Sequence, residues 1–410
     1  MAEIAVLGYG TVGSGVVEAL KANQQNIDRK ASQPIRVKYV FDVREFPDTP
    51  IEKLLTHNID DIIYDNDVRV VVEAMGGVEP AYTYVKEMLA RGKNVCTSNK
   101  ELVAKHGAEL LTLARDMNIN FLFEASVGGG IPIIRPLNSS LAADEITEIS
   151  GILNGTTNYI LTKMTKENGD FHECLETARQ MGYAERDPSA DIDGLDSCRK
   201  LAILVSLAIG KQVDFENIGT EGISKLTPRD IAYANELGGT IKLLATAKIE
   251  GPGVYARVSP VILRGGHPLA FVNDVYNAIY IRGKIIGEVM FYGRGAGKFP
   301  TASAVIADVV DAVKNLNRNI LHFWSTEKHE ILPYGALKTD RLVRVATRDA
   351  EKTKKLFNKI YAARIIDLFD DEIAAIVEDA TNDEYSRVVN DLAEADFFNR
   401  IVNTIAIEGE

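Results

Sequence analysis

Through the first third of the chain, short apolar β-rich runs alternate with stretches of helical periodicity. Residues 3–7 form an apolar run that leads directly into GYGTVG at 8–13, after which Val12, Val16, Val17 and Leu20 line one side of a helix. Further strands are predicted at 35–41, 68–74, 94–97 and 120–124, separated by helical patterns at 79–91 and, after Ser98-Asn99-Lys100, through Met117. The run VRVVVEA at 68–74 is apolar enough to be buried on both faces, as strands of parallel sheets are. Strand and helix in alternation predict an α/β fold whose first unit is a Rossmann-type, doubly wound parallel sheet.

The pattern then changes. Alternating apolar positions at 145–152 predict a strand of a second sheet, ending at LNGTT, where Thr156 or Thr157 is expected to cap the next helix. A helix at 171–181 follows, and then GYAERDPSADIDGLDSCRK at 182–200 gathers five carboxylates, Glu185, Asp187, Asp191, Asp193 and Asp196. Behind them LAILVSLAIG, 201–210, is interrupted only by Ser206 and reads as a buried helix. If that helix begins near Leu195, with Asp193 or Asp196 as its cap, Asp196 and Lys200 share a face. A lysine there, beside carboxylates, suits proton transfer. On local pattern alone an i,i+4 ion pair on a capped helix is the more common arrangement.

Segments at 238–249, 253–263 and 278–292 predict a mostly antiparallel sheet in a central α+β domain, of the kind that pairs across a dimer interface. A second glycine loop at 293–297, a stop at Pro300 and a long helix over 301–317 would return the chain to the first domain. Residues 324–337 read as an irregular linker. The tail orders strand 341–347, helix 350–362, strands 365–369 and 372–378, helix 383–392 and strand 401–407, the ferredoxin-like βαββαβ arrangement. The expected domains are 1–130 for the dinucleotide, 131–330 for substrate binding, catalysis and dimerisation, and 338–410.

Composition narrows the partners. The 410 residues carry a net charge of −12 without an offsetting basic cluster, which argues against nucleic acid and anionic membranes and leaves a small molecule. Three isolated cysteines without a CxxC pair fit a reducing compartment, and no apolar run is long enough to span a bilayer, so a cytoplasmic protein is expected. In GYGTVG, Gly8 allows the tight turn, Gly10 lets backbone approach a pyrophosphate, and Gly13 allows close packing of helix on strand. Tyr9, Thr11 and Val12 complete that turn. Asp42, at the end of the second strand, suits the ribose hydroxyls of NAD, whereas Arg44 suits the extra phosphate of NADP. Ser98, Asn99 and Lys100 follow a strand at the carboxyl edge, where such sheets bind ligands. The glycine run after Glu124 suits either a hinge or a loop whose carbonyls face an ion.

Five segments, GYGTVGSGVV, SNKELVAKHG, GILNGTTNYIL, GYAERDPSADIDGLDSCRK and GRGAGKFPTASAVIADV, resemble in content and order those of homoserine dehydrogenases that carry a C-terminal ACT domain. The resemblance implies interconversion of L-homoserine and L-aspartate 4-semialdehyde with NAD or NADP. It implies that Glu185 and Asp196 bind homoserine, that Asp191 and Tyr183 line the site with Gly155 and Thr156, and that Lys200 is the proton donor with Lys100 as a second active-site lysine. Gly182 and Gly297 resemble cofactor-side positions. Glu124, Val127, Gly129 and Ile131 resemble a monovalent-cation loop, of the kind that would take Na. A homodimer or homotetramer in threonine and methionine biosynthesis is expected, in the single-activity form, since no kinase-like extension precedes Met1. The tail loop Thr347-Arg348-Asp349-Ala350-Glu351 lacks the glycine usual in effector-binding ACT domains, so weak or absent inhibition by threonine is expected. The competing readings are a dehydrogenase of another amino-acid aldehyde or hydroxy amino acid, and a non-enzymatic dinucleotide and amino-acid sensor.

Overall fold

The computed structural model describes residues 1–320, 324–361, 364–395 and 397–409. Their contacts divide the chain into two compact units, each made of separated segments. The first holds Met1–Ile149, Arg199–Asn217 and Asn277–Glu330, and the second holds Ser150–Cys198, Ile218–Tyr276 and Ile331–Glu410.

In the first unit, six parallel strands lie in the order Leu55–Thr56, Ile35–Phe41, Ala2–Leu7, Val68–Glu73, Asn94–Thr97, Phe121–Leu122. Strand order therefore reverses at Ala2–Leu7, which is where open α/β sheets bind ligands. The register sets Leu7 beside Phe41 and Glu73, and Glu73 beside Thr97. As a result the turns after these strands, at Gly8, Asp42, Ala74 and Ser98, all leave from one edge. Helices Thr11–Ala22 and Lys298–Lys314 cover one face, burying Val16, Leu20, Val305 and Val309 against Ile4, Val6, Val70 and Val72. The second of these helices starts three residues before the expected Thr301. Pro300 thus lies in its first turn, where the missing N–H costs no hydrogen bond, rather than acting as a stop.

In the second unit, Gly239–Glu250 and Gly253–Arg264 form a twelve-residue antiparallel ladder. Gly253–Arg264 then pairs in parallel with Phe398–Glu408, and the sheet continues antiparallel through Thr339–Thr347, Glu372–Ala380 and Arg364–Phe369. The tail follows the order strand, helix, two strands, helix, strand, with its fourth strand joined to the ladder. A buried ion cluster ties the tail to the helix Pro228–Glu236: Arg344 donates to Asp230 at 2.6 Å and to both oxygens of Glu372 at 2.9 and 2.8 Å. The tail helix is described over Ala350–Tyr361, and the last residue expected of it, Ala362, lies outside the described residues.

Several elements differ from expectation. The expected linker contains two short strands, Ser325–His329 paired with Lys211–Val213 and Ile331–Pro333 paired with Gly253–Arg264. Ladder hydrogen bonds rather than a hydrophobic alternation define them, so the pattern carries no sign of them. The segment 278–292 is a hairpin of Tyr276–Gly283 and Gly287–Arg294. The strand expected at 120–124 is reduced to Phe121–Leu122, and Glu124–Ser126 is a 3-10 turn. Two helices, Gln24–Ala31 and Pro228–Glu236, had no counterpart, although the second carries a capping box, Thr227 with Asp230, and a proline in its first turn. Among the described residues no helix is long and apolar enough to cross a membrane.

Candidate functional site

At the carboxyl edge of the parallel sheet, Gly8 has φ +90°, a backbone conformation that glycine adopts without strain. A Cβ at Gly13 would lie 1.9 Å from the Gly8 carbonyl oxygen, so the helix starts in direct contact with the turn. Gly10 has no heavy atom within 4 Å of where its Cβ would be, which leaves its backbone open to a ligand. Thr11 opens the helix and is exposed, while Val12 packs on the core.

The two residues read as alternative ribose and phosphate contacts are joined to each other. Arg44 Nε and Nη2 each donate to the Asp42 carboxylate at 2.9 Å, and the Tyr9 N–H donates to it at 2.7 Å. The Arg44 hydrogen bonds, followed by the Tyr9 and Arg44 backbone N–H groups, hold the Asp42 carboxyl well below the usual carboxylate range against the opposing effect of burial. Both an acceptor and a cation therefore stand at the end of the second strand. His57 adds a contact the sequence gave no reason to expect: Nδ1 lies 2.6 Å from the Asp42 carbonyl oxygen and Nε2 3.0 Å from Glu45.

A second missed residue is Glu73, fully buried at the end of its strand. It accepts hydrogen bonds from the Met75 N–H at 2.8 Å and from Thr97 Oγ1 at 2.5 Å. Thr97 Oγ1 in turn accepts the Asn99 N–H at 2.9 Å, and Asn99 Nδ2 donates to Gly77 O at 2.6 Å. Burial raises the Glu73 pKa, so its carboxyl links two neighbouring loops at the sheet edge in an environment that disfavours charge. Its only sequence signal was one acid at the end of an apolar strand. Asn99 also caps the helix Lys100–Asp116, accepting the Leu102 N–H, and so fixes Lys100 as the first helical residue. Ser98 and Lys100 are half-buried.

The two glycine loops of the first unit pack on each other. A Cβ at Gly129 would lie 2.2 Å from Gly295 O, and the Gly130 N–H donates to Arg294 O at 3.1 Å. Gly297 occupies the position just before the helix Lys298–Lys314. Val127, Gly129 and Ile131 are buried. The Glu124 carboxylate accepts the N–H groups of Ile133, Ile134 and Arg135 at 2.5, 2.9 and 2.9 Å. That side chain is thereby committed to backbone, which leaves its carbonyl rather than its carboxylate for an ion. Among the described residues no group of three or more His, Cys, Asp or Glu side chains could hold a metal.

In the second unit the carboxylate stretch is organised by Asn154, which the sequence reading passed over. Asn154, not Thr156 or Thr157, caps the helix Gly155–Glu167, its Oδ1 accepting the Thr157 N–H at 2.9 Å. While Oδ1 takes the N–H, Nδ2 of the same amide donates to Asp191 at 2.7 Å and to Asp196 at 3.0 Å. Thr156 Oγ1 donates to Tyr183 O at 2.7 Å. The Tyr183 ring meets that of Tyr159 edge-on at 4.9 Å. Gly182, φ +72°, ends the preceding helix, its N–H bonded to Arg179 O at 3.0 Å. Gly155, Thr156, Tyr183, Asp191 and Asp196 are thus brought together. Glu185 is exposed two residues beyond Tyr183 and takes part in none of these bonds. Asp187 bonds only locally, accepting the Ser189 N–H at 3.1 Å.

The helix Leu195–Ile209 begins where its apolar run predicted, but the residue before it is Gly194, so neither Asp193 nor Asp196 is its cap. Asp196 lies in the first turn with 3% of its surface exposed, and Lys200, four residues on, has 7%. Such burial is not that of a surface ion pair. Residues 201–206 are buried, and Ser206 Oγ, the one polar interruption, accepts the Val213 N–H at 2.9 Å.

The first unit offers a glycine turn of the dinucleotide-binding kind and a buried lysine, and the second a pair of carboxylates held by an amide, a chemistry that suits a cation. Comparison with known proteins points the same way. A family model described as "Homoserine dehydrogenase" matches residues 132–310, and one described as "Homoserine dehydrogenase, NAD binding domain" matches residues 8–124. Homoserine dehydrogenase of Bacillus subtilis is 42% identical over 320 residues, 77% of this chain and 74% of the relative. A homoserine dehydrogenase structure from Thiobacillus denitrificans superposes with a TM-score of 0.91 at 35% identity, covering 99% of this chain and 98% of that one. A hyperthermophilic archaeal homoserine dehydrogenase in complex with NADPH gives a TM-score of 0.65 at 28% identity over 76% and 97% of the two chains.

Proposed function

The chain belongs to the homoserine dehydrogenase family, an NAD(P)-dependent oxidoreductase of amino-acid biosynthesis, and from that premise we propose how its residues divide the reaction. The enzyme interconverts L-homoserine and L-aspartate 4-semialdehyde. When bound, NAD(P) supplies or accepts the hydride. Gly8, Tyr9, Gly10, Thr11, Val12 and Gly13 would hold its pyrophosphate, Asp42 and Arg44 its ribose end, and Ser98, Asn99, Lys100, Gly182 and Gly297 would add further contacts.

The substrate ammonium is assigned to Asp196 and Glu185, with Asp191, Tyr183, Gly155 and Thr156 lining the site. The supporting observation is the Asn154 amide, which donates to both aspartates and so holds their carboxylates side by side. Lys200 passes a proton to the alkoxide as the aldehyde is reduced, and withdraws one from the hydroxyl in the reverse direction. Its burial supports that role, because a shielded lysine exchanges its proton with the reacting oxygen rather than with bulk water. Lys100 is the second lysine of the site.

A monovalent cation such as Na is assigned to the backbone carbonyls of Glu124, Val127, Gly129 and Ile131. An oxygen-only loop suits such a hard ion, which would brace the two glycine loops against each other. The C-terminal unit is assigned as an ACT domain on its element order and strand order. In its first loop, the Arg348 N–H bonds Phe397 O at 3.0 Å and the Asp349 N–H bonds Thr347 Oγ1 at 3.1 Å, so these amides are already engaged. This supports weak or absent threonine inhibition. A homodimer or homotetramer is supported by the exposed Met290 and Tyr292 on the strand Gly287–Arg294, and a cytoplasmic site by the free cysteines.

The test is oxidation of L-homoserine by the purified chain with NAD and with NADP, beside other hydroxy amino acids. Turnover is expected with homoserine foremost. Faster turnover of another hydroxy amino acid would favour a different dehydrogenase, and none at all a sensor.

A further inference from the structure

Two charged residues outside the machinery assigned above stand immediately beside its two lysines. Glu101 follows Lys100 in the first turn of the helix Lys100–Asp116, and Arg199 precedes Lys200 in the helix Leu195–Ile209. Their side chains meet, with Arg199 Nη1 2.9 Å from Glu101 Oε1. The Arg199 guanidinium also lies over the Phe215 ring, 5.7 Å from its centroid. Lys100, Glu101, Arg199, Lys200 and Phe215 all belong to the first compact unit.

The contact therefore fastens the start of one helix to the second turn of another at the two places where each presents a lysine. As a source of stability such a pair is weak, because 22% of the Arg199 side chain and 34% of the Glu101 side chain remain exposed. As a locator it is placed where small displacements matter most, since moving a reacting group by about 1 Å costs on the order of 100-fold in rate.

We propose that the Arg199–Glu101 ion pair is a positioning pair for the dehydrogenation, holding Lys100 and Lys200 in the mutual placement that proton transfer requires. Neither residue touches substrate. The inference rests on the assignment of Lys200 and Lys100 to the site.

The test compares Glu101→Gln, Arg199→Gln and the double variant with the wild type in kcat, in the KM for homoserine, in NAD(P) affinity measured by calorimetry, and in melting temperature. Each single variant is expected to lose roughly tenfold in kcat, a fraction of the loss for a full 1 Å misplacement. Cofactor affinity is expected to stay within about twofold, and melting within a few degrees, as befits a weak pair. The double variant is expected to be no slower than the worse single one, because the two residues act as a unit. Arg199→Lys, which keeps the charge, is expected to recover part of the rate. Single variants with normal kcat, or losses that multiply in the double variant and follow melting temperature, overturn the proposal. Lys200→Ala and Lys100→Ala, run in parallel, separate the two levels. If both keep normal turnover, the lysine assignment itself fails; if they lose it while the pair variants do not, only the positioning role fails.

Discussion

Asn154 is the most informative single position outside the lysines, because one amide does two jobs that substitution can separate. Its Oδ1 caps a helix and its Nδ2 donates to Asp191 and Asp196. Asn154→Ala removes both. Loss of the cap costs about 1 kcal/mol. Loss of the bond to Asp196, which is 3% exposed and cannot regain water freely, costs about 1.5–3 kcal/mol, while half-buried Asp191 recovers most of its hydration. A destabilisation of about 3 kcal/mol follows from these two terms. Asn154→Asp keeps the cap but puts a carboxylate oxygen about 3 Å from two others, a repulsion of about 5 kcal/mol per pair at an effective dielectric of 20. The cluster relieves this by taking up a proton, so its carboxyl pKa rises in the folded state. A raised folded pKa gives stability at low pH that is lost as pH rises through it. Denaturant midpoints at pH 5 and pH 8 read this directly. Asn154→Asp is expected to match or exceed Asn154→Ala at pH 5, to fall below it at pH 8, and to weaken homoserine binding more as pH rises. An Asp variant as stable as wild type at pH 8 would refute the assignment of Nδ2 to the two carboxylates.

Three further outcomes are expected. Gly13→Ala forces a Cβ to within 1.9 Å of Gly8 O, so the turn must open, and calorimetry should find NAD(P) binding lost or weakened at least tenfold, against unchanged affinity if the turn is only a connection. Arg344→Met leaves Asp230, fully buried, and Glu372, 3% exposed, without their cation, and should lower stability by about 3–5 kcal/mol; an unaltered melting temperature would contradict a tail built into the sheet. Asp42→Asn removes a carboxylate whose pKa Arg44 and the Tyr9 N–H depress, so wild type should be the more stable at pH 7, with the difference shrinking as pH falls below about 4 toward the folded pKa; a difference that persists on acidification would count against the pairing.

The parallel sheet was legible because its strands are continuous apolar runs and its turns carry glycine, both of which are local properties. The tail's order was legible for a similar reason, each element being long enough to show its own period. Short strands such as Ser325–His329 were not, since what makes them strands is a partner more than a hundred residues away. The candidate site divides in the same manner. Gly8, Gly13 and the buried helix behind Lys200 could be read from neighbours in the chain. Asn154, Glu73 and His57 could not, because each acts through contacts with distant segments: Asn154 on Asp191 and Asp196, Glu73 on Thr97, His57 on Asp42. Asn154 did leave a trace, standing at an ordinary cap position before GTT, but the threonines there drew the assignment. Arg44 shows the opposite limit. Two side chains that sequence offers as alternatives turn out to bind each other.

The assignment of Lys200 meets its most direct test in the pH dependence of kcat for homoserine oxidation, measured on wild type and Lys200→Ala with cofactor affinity followed alongside. A lysine that must be neutral to accept the hydroxyl proton predicts a rate that climbs toward alkaline pH in wild type, and a kcat at least about 100-fold lower in the variant with NAD(P) affinity retained. A variant that turns over at near wild-type rate, or a wild-type rate that stays flat from about pH 7 to pH 10, would remove Lys200 from the proton transfer.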